Sequence, residues 1–163
     1  MRLDHIAYRV TDRNQTAVFL KETLGYQLAN EFDIRFEDGS TAECLVLDPL
    51  HKSHSCPPPE IFVSNGSPDS IVGKWVKERG GIGGIHHLAY QVVDIESKVK
   101  AWKEKGIEFL TKEVIDCPED EMRQIFTKPL IELGGVIVEL IERGDKGFCK
   151  NSVKGLMQST EEV

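Results

Sequence analysis

Cysteine is sparse and poorly spaced: the 163 residues hold four (Cys44, Cys56, Cys117 and Cys149), with no CxxC pair among them. That argues against a paired-thiolate zinc framework, and the thiols read as reduced and inert. Long hydrophobic runs are absent as well, so no segment reaches membrane-span length. The start, MRLDHIAYRV, enters a strand pattern without a signal-peptide pattern, and a cytoplasmic location is the expectation. Positive charge is in deficit: 20 Lys and Arg against 27 Asp and Glu leave a net charge of −7. Nucleic acid and anionic membrane surfaces are therefore poor partners. A small-molecule substrate remains, with room for a local basic pocket if that substrate is anionic. A homodimer is compatible with this composition. At 40% hydrophobic residues the chain can bury one good core.

What the chain does have is a repeat. LDHIAYRVTD at 3–12 recurs as IHHLAYQVVD at 85–94, with His5/His87, Ala7/Ala89, Tyr8/Tyr90, Val10/Val92 and Asp12/Asp94 identical at a constant offset of 82. A strand-sized segment repeated once at half the chain length implies two copies of one supersecondary unit. Lys21-Glu22 and Lys103-Glu104 keep the same offset, and Gly25 and Gly106 follow as stops. A His at one place in each copy allows two imidazoles to converge on a symmetry axis.

Periodicity then places the elements. Strands are expected at 3–10, 26–32, 41–47 and 60–64, with a helix over 14–24. Three consecutive prolines, Pro57-Pro58-Pro59, make 48–59 a loop. A linking helix is expected over 69–79, and Gly80-Gly81-Ile82-Gly83-Gly84 reads as a hinge. A phosphate loop would follow a strand, whereas this glycine run precedes one. The second copy repeats the order, with strands at 85–92, 107–115, 122–128 and 135–142 and a helix over 95–105. The fold class expected is α+β: two tandem βαβββ modules forming a curved sheet around a metal-binding cleft, plus a C-terminal helix. Module 1 is 1–66, the linker 67–83, module 2 84–143, and a tail at 144–163 has no counterpart in module 1.

Glu139 interrupts the apolar run GGVIVELIER, and alternation sets it on one strand face with Ile137 and Ile141. A carboxylate among buried residues needs a partner. In PPPEIFVSNG, Glu60 reads as its equivalent, 55 residues after His5 where Glu139 is 52 after His87. His5, Glu60, His87 and Glu139 together offer nitrogen and hard oxygen to one divalent ion, Co²⁺, Ni²⁺, Mn²⁺, Zn²⁺ or Fe²⁺. A core His and a solvated Glu would be the bland account of each residue alone; the repetition argues against it. His86 points to the opposite face from His87. The rival cluster His51-x-x-His54-x-Cys56 is one proline-flanked loop without a second ligand pair.

With these residues in place, the chain resembles the vicinal oxygen chelate superfamily over almost its whole length. The stretch GSPDSIVGKWVKERGGIGGIHHLAYQVVDIESKVKAWKEKGI resembles methylmalonyl-CoA epimerase. That resemblance implies His5, Glu60, His87 and Glu139 as metal ligands and sets Glu37, in FEDGS, near the general base. The end, RQIFTKPLIELGGVIVELIERGDKGFCKNSVKGLMQSTEE, resembles the catalytic half of 4-hydroxyphenylpyruvate dioxygenase. It implies three ligands (His5, His87 and Glu139), Gln124 as an active-site amide, and Phe148 as an aromatic gate. The chain lacks that enzyme's N-terminal half, and it carries an end that the epimerases lack.

Coordination number separates the two chemistries. An oxygenase that binds a 2-oxo acid and then O₂ needs three open positions, hence two His and one carboxylate. Four protein ligands leave two positions, which suit a chelated substrate losing the proton alpha to its carbonyl. Glu60 therefore points to an epimerase or isomerase; Gln124, Phe148 and the tail point to a dioxygenase. Glu37 is equally readable as a turn residue, because Asp38-Gly39 is a hairpin signal. Gln124 is readable as a polar residue on a strand's outer face, and Phe148 as a helix-packing contact. A third class, a non-catalytic binding protein, would have no need of an intact ligand set.

Overall fold

Alternation in RLDHIAYRV produces β1 (Arg2–Val10). The Asp12 side chain accepts the N–H groups of Asn14 and Gln15 and starts α1 (Arg13–Leu24). Gly25 ends that helix in the left-handed region at φ 71°, where a side chain would be strained. Three strands follow, β2 (Tyr26–Arg35), β3 (Thr41–Pro49) and β4 (Glu60–Gly66), and then α2 (Ile71–Glu78), capped by the Ser70 hydroxyl. The computed structural model describes residues 1–51 and 57–163. His54 and Cys56 of the rival loop cluster lie outside the described residues.

The second half repeats the order with β5 (Gly83–Gln91), α3 (Ile95–Glu104), β6 (Ile115–Cys117), β7 (Met122–Phe126) and β8 (Ile137–Arg143), closing with α4 (Lys150–Ser159). Asp94 caps α3 as Asp12 caps α1. A single 3₁₀ turn, Ile131–Leu133, joins β7 to β8. The chain divides into one unit of His5–His86 and another of Met1–Asp4 with His87–Val163.

Within the first unit the strand order is β2-β3-β4-β1, antiparallel except for the parallel β4/β1 pair. Leu45, Leu47, Ile61 and Val63 pack with Ala17 and Leu20 of α1, and Ile6, Tyr8 and Val10 join them. Within the second unit the order is β5-β8-β7-β6, with β5/β8 the parallel pair. There Ile125 and Leu140 pack with Ile95 and Val99 of α3. In both units the even-numbered apolar positions of the first strand face the helix, so His5 and His87 fall on the other face.

Two expectations need correction. The strand expected at 107–115 is mostly irregular, with a lone bridge from Phe109 to Thr127 and a strand only at Ile115–Cys117. Phe109 itself stays paired, with the Leu110 N–H on the Phe126 carbonyl and the Lys128 N–H on the Glu108 carbonyl; the backbone leaves the ladder at 110–113, where the Thr111 hydroxyl bonds the Glu113 carbonyl. The tail does have a counterpart. In chain order α2 follows β4 as α4 follows β8, so each repeat is βαβββα.

The glycine run has a packing cause. A Cβ on Gly83, at φ 83°, would overlap the carbonyl oxygen of Arg9, so close backbone approach requires glycine there.

Candidate metal centre

In the second unit the site is built on β5, β7 and β8. Ala89 and Glu139 are register partners across the parallel pair, and Phe126 pairs with Glu139 across the antiparallel one. Register partners share a face, so His87, Phe126, Ile137 and Glu139 stand together. His87 Nε2 lies 3.1 Å from Glu139 Oε2. The His87 ring meets Phe126 edge-on, at a centroid distance of 5.2 Å. Glu139 is 1% exposed, and a carboxylate held that far from water requires a cation or strong donors beside it. The imidazole and carboxylate already converge as two ligands of one ion would.

Gln124 lies on the same face, fully buried, as the register partner of Ile141. Its Nε2 is 3.7 Å from Cys117 Sγ and 3.8 Å from Met122 Sδ, both weak acceptors. Its Oε1 has no hydrogen-bond donor among the described residues. A buried amide oxygen without a donor is costly, and a donor on a bound molecule would relieve it. Cys117 itself is inert, because burial pushes its thiol above the ordinary range. Over this face lies α4, whose Leu156 packs with Phe126 and Ile137. Phe148, before α4, is buried with the Arg143 guanidinium 4.9 Å from its ring centre. Arg143 also binds Asp4 at 2.7 Å. Asp120 accepts the Cys149 N–H where α4 begins.

In the first unit His5 is buried and is the register partner of Glu60 across the parallel β1/β4 pair. The next partners are Ala7 with Phe62 and Arg9 with Ser64. The repeat makes Ala7 and Ala89 equivalent, so the place of Glu139 is taken in the first unit by Phe62. Glu60 corresponds to Ile137 and stands one pleat earlier, on the same strand face. Taking Glu60 as the equivalent of Glu139 is thus two residues out. A side-chain period of two preserves the face, whereas spacing through loops of unequal length cannot fix the pleat.

Glu37 is exposed in the turn between β2 and β3, where Phe36 N–H bonds Ser40 O and Asp38 accepts the Ser40 N–H. The turn reading of EDGS therefore holds locally. Sequence reasoning passes over Arg9, Trp75, Arg79, Arg143 and Asp120. The one available signal is Arg9 itself, a charge inside the strand-forming run HIAYRV.

The sequence model of the glyoxalase/bleomycin resistance protein/dioxygenase superfamily matches residues 4–126. Human mitochondrial methylmalonyl-CoA epimerase is 30% identical over 139 residues, covering 85% of this chain and 72% of the epimerase. The 4-hydroxyphenylpyruvate dioxygenase of Sus scrofa is 29% identical over 129 residues, covering 60% of this chain. This chain spans only 33% of that dioxygenase's length. A solved mutant of 4-hydroxymandelate synthase from Streptomyces coelicolor superposes with a TM-score of 0.80 at 20% identity. It covers 98% of this chain and 53% of its own.

Proposed function

We propose, from the premise that this chain belongs to the glyoxalase/bleomycin resistance protein/dioxygenase superfamily, that it is a divalent-metal enzyme moving the proton alpha to a carbonyl or thioester of a small chelating substrate. The observation that carries this reading is the relation to methylmalonyl-CoA epimerase across most of both chains. His5, His87 and Glu139 are the proposed ligands, with Glu60 as the fourth. The donor set fits a divalent ion: Glu139 is a buried carboxylate with an imidazole at 3.1 Å. Such an ion would act as a Lewis acid toward paired substrate oxygens and stabilise the negative charge left when the proton departs.

The chain's own residues do the rest. Phe126 at 5.2 Å restricts rotation of the His87 ring, and Ile137 with Leu156 helps keep water from the Glu139 face. Glu37 is the base assigned on this reading. It is exposed in its turn, so substrate must approach the turn to bring its proton within reach.

A second reading has a specific observation behind it. With Phe62 where the repeat would call for a carboxylate, the first unit supplies His5 alone, and two His and one Glu leave three positions open. That is the ligand count of an oxygenase acting on a 2-oxo acid. Gln124, with its undonated amide oxygen under α4, would then face the substrate.

One experiment separates the two. Metal-loaded protein is given methylmalonyl-CoA in D₂O, and an aryl 2-oxo acid in a parallel oxygen-electrode cell. The first reading expects deuterium at the alpha position without O₂ uptake, lost in Glu37→Gln and weakened with metal affinity in Glu60→Ala. Uptake of O₂ tied to loss of the 2-oxo acid, impaired by Gln124→Ala and indifferent to Glu60→Ala, overturns it in favour of the second.

A further inference from the structure

The segment between α3 and β6, with the end of α3 and the residues after β7, walls two adjoining cavities on the second unit. One, of about 560 Å³, is lined by Lys103, Phe109 and Lys112. The other, of about 510 Å³, is lined by Pro129, Leu130 and Ile131. Ile107, Glu108 and Lys128 line both, so the two are lobes of one groove. Each lobe has the size of a small-molecule site, and the lysines on its walls are exposed.

The lobes differ in chemistry. The first carries three lysines against one glutamate, a local net charge of +2 in a chain of −7. Such a separation draws anions to the groove while the rest of the surface repels them. Lys128, on the shared wall, is already paired with Glu108. Lys103 Nζ instead donates to a neutral group, the Lys112 carbonyl at 3.2 Å, and stands 5.8 Å from the centre of the Phe109 ring. In the second lobe Lys105 balances Glu132, and the remaining wall is apolar. Ile131 there is 87% exposed, so an apolar cover over it is favourable.

We propose that this groove is a binding site for an anionic amphiphile, a small molecule with a carboxylate or phosphate head on a short apolar body. The head meets the ammonium groups of Lys103 and Lys112. The body passes the Glu108–Lys128 pair and lies against Ile107, Leu130 and Ile131. Lysine acts as a point charge rather than a shaped fork, so either head is admitted. Phe109 packs with Trp102 in the helix-facing cluster, whereas His87 and Glu139 stand on the opposite face. The groove is therefore independent of the metal reading.

The test uses the full chain labelled with ¹⁵N, and octanoate and octyl phosphate as probes. Acetate and inorganic phosphate lack the body, and 1-octanol lacks the charge. All are titrated at constant ionic strength, below the concentrations at which micelles form. Amide shifts map the site and calorimetry gives the affinity. An amphiphile should shift the amides of residues 106–112, Lys128, Leu130 and Ile131. It should bind roughly tenfold or more tightly than octanol or its own bare head. Tighter binding of octanoate assigns a carboxylic acid, and tighter binding of octyl phosphate a phosphate ester.

Lys103→Met and Lys112→Met should each weaken binding by roughly two- to fivefold, the size of one exposed ion pair. Ile131→Ser, on a turn already open to water, should weaken the amphiphiles by roughly threefold or more and leave inorganic phosphate unchanged. His87→Ala should bind them as the parent does. No binding of either amphiphile by the parent, or shifts confined to residues outside the groove, overturns the proposal. So does octanol binding as tightly as the amphiphiles, unchanged binding by Lys112→Met and Ile131→Ser, or loss of binding in His87→Ala.

Discussion

The two repeats use one plan for different ends. Both start their first helix with the same cap, Asp12 and Asp94, and the next residues then diverge. Arg13 in the first unit is buried and binds Glu31 at 3.0 Å, Asp33 at 3.2 Å and the Cys44 carbonyl at 3.1 Å. Its equivalent in the second unit, Ile95, is fully buried in the apolar cluster with Val99, Ile125 and Leu140. The strands diverge likewise: where the second unit places Glu139 beside His87, the first has Phe62. The first unit gathers guanidiniums around Trp75, and the second gathers Gln124, Phe126 and α4 around a carboxylate. Duplication has kept the scaffold and let the faces opposite the helices diverge, Phe62 standing in the first unit where Glu139 stands in the second.

If that division holds, the helix-facing cores should be matched and the opposite faces should not. Leu47→Ala in the first unit and Leu140→Ala in the second remove fully buried side chains of similar surroundings. Each should cost about 2–5 kcal/mol by urea denaturation, and a large inequality would break the comparison. Arg13→Met should come next, at about 1–3 kcal/mol, because Glu31 and Asp33 remain hydrated when their partner is lost. Its cost should shrink in high salt. Ile95→Val, at the equivalent position, should cost about 0.5–1.5 kcal/mol with no salt dependence.

The smallest effect concerns acid. The Ser97 hydroxyl and N–H, at 2.7 and 3.0 Å, hold the Asp94 carboxyl below the usual carboxylate range. A group with a depressed folded value stabilises above its unfolded value and loses that contribution as pH falls through the folded one. Melting temperature should therefore decline slightly less in acid for Asp94→Asn than for the parent. An identical decline would remove the cap from the account.

Much of this is legible in the sequence because the repeat is literal. His5 and His87, with Ala and Tyr at fixed distances after each, are enough by themselves to announce two equivalent strands. The caps and the Gly25 stop follow from local rules. The misplacements are all non-local. Whether Glu60 or Phe62 answers to Glu139 depends on register between β1 and β4, which the intervening loop decides. The 107–115 segment misleads because it pairs only around Phe109 and bends away at 110–113 before the strand resumes at Ile115. Arg9 meets Trp75 and Arg79 only through the packing of α2, which no periodicity within β1 reports.

The central claim is that this duplicated scaffold holds one divalent ion through a carboxylate contributed by the second repeat. Metal content after equilibrium dialysis, read by plasma emission spectroscopy, tests it directly on the parent, His87→Ala and Glu139→Ala. The account expects one ion per parent chain and, for either variant, an affinity loss beyond the roughly 10–100-fold typical of an outer-shell change. Unchanged metal content in Glu139→Ala would contradict it.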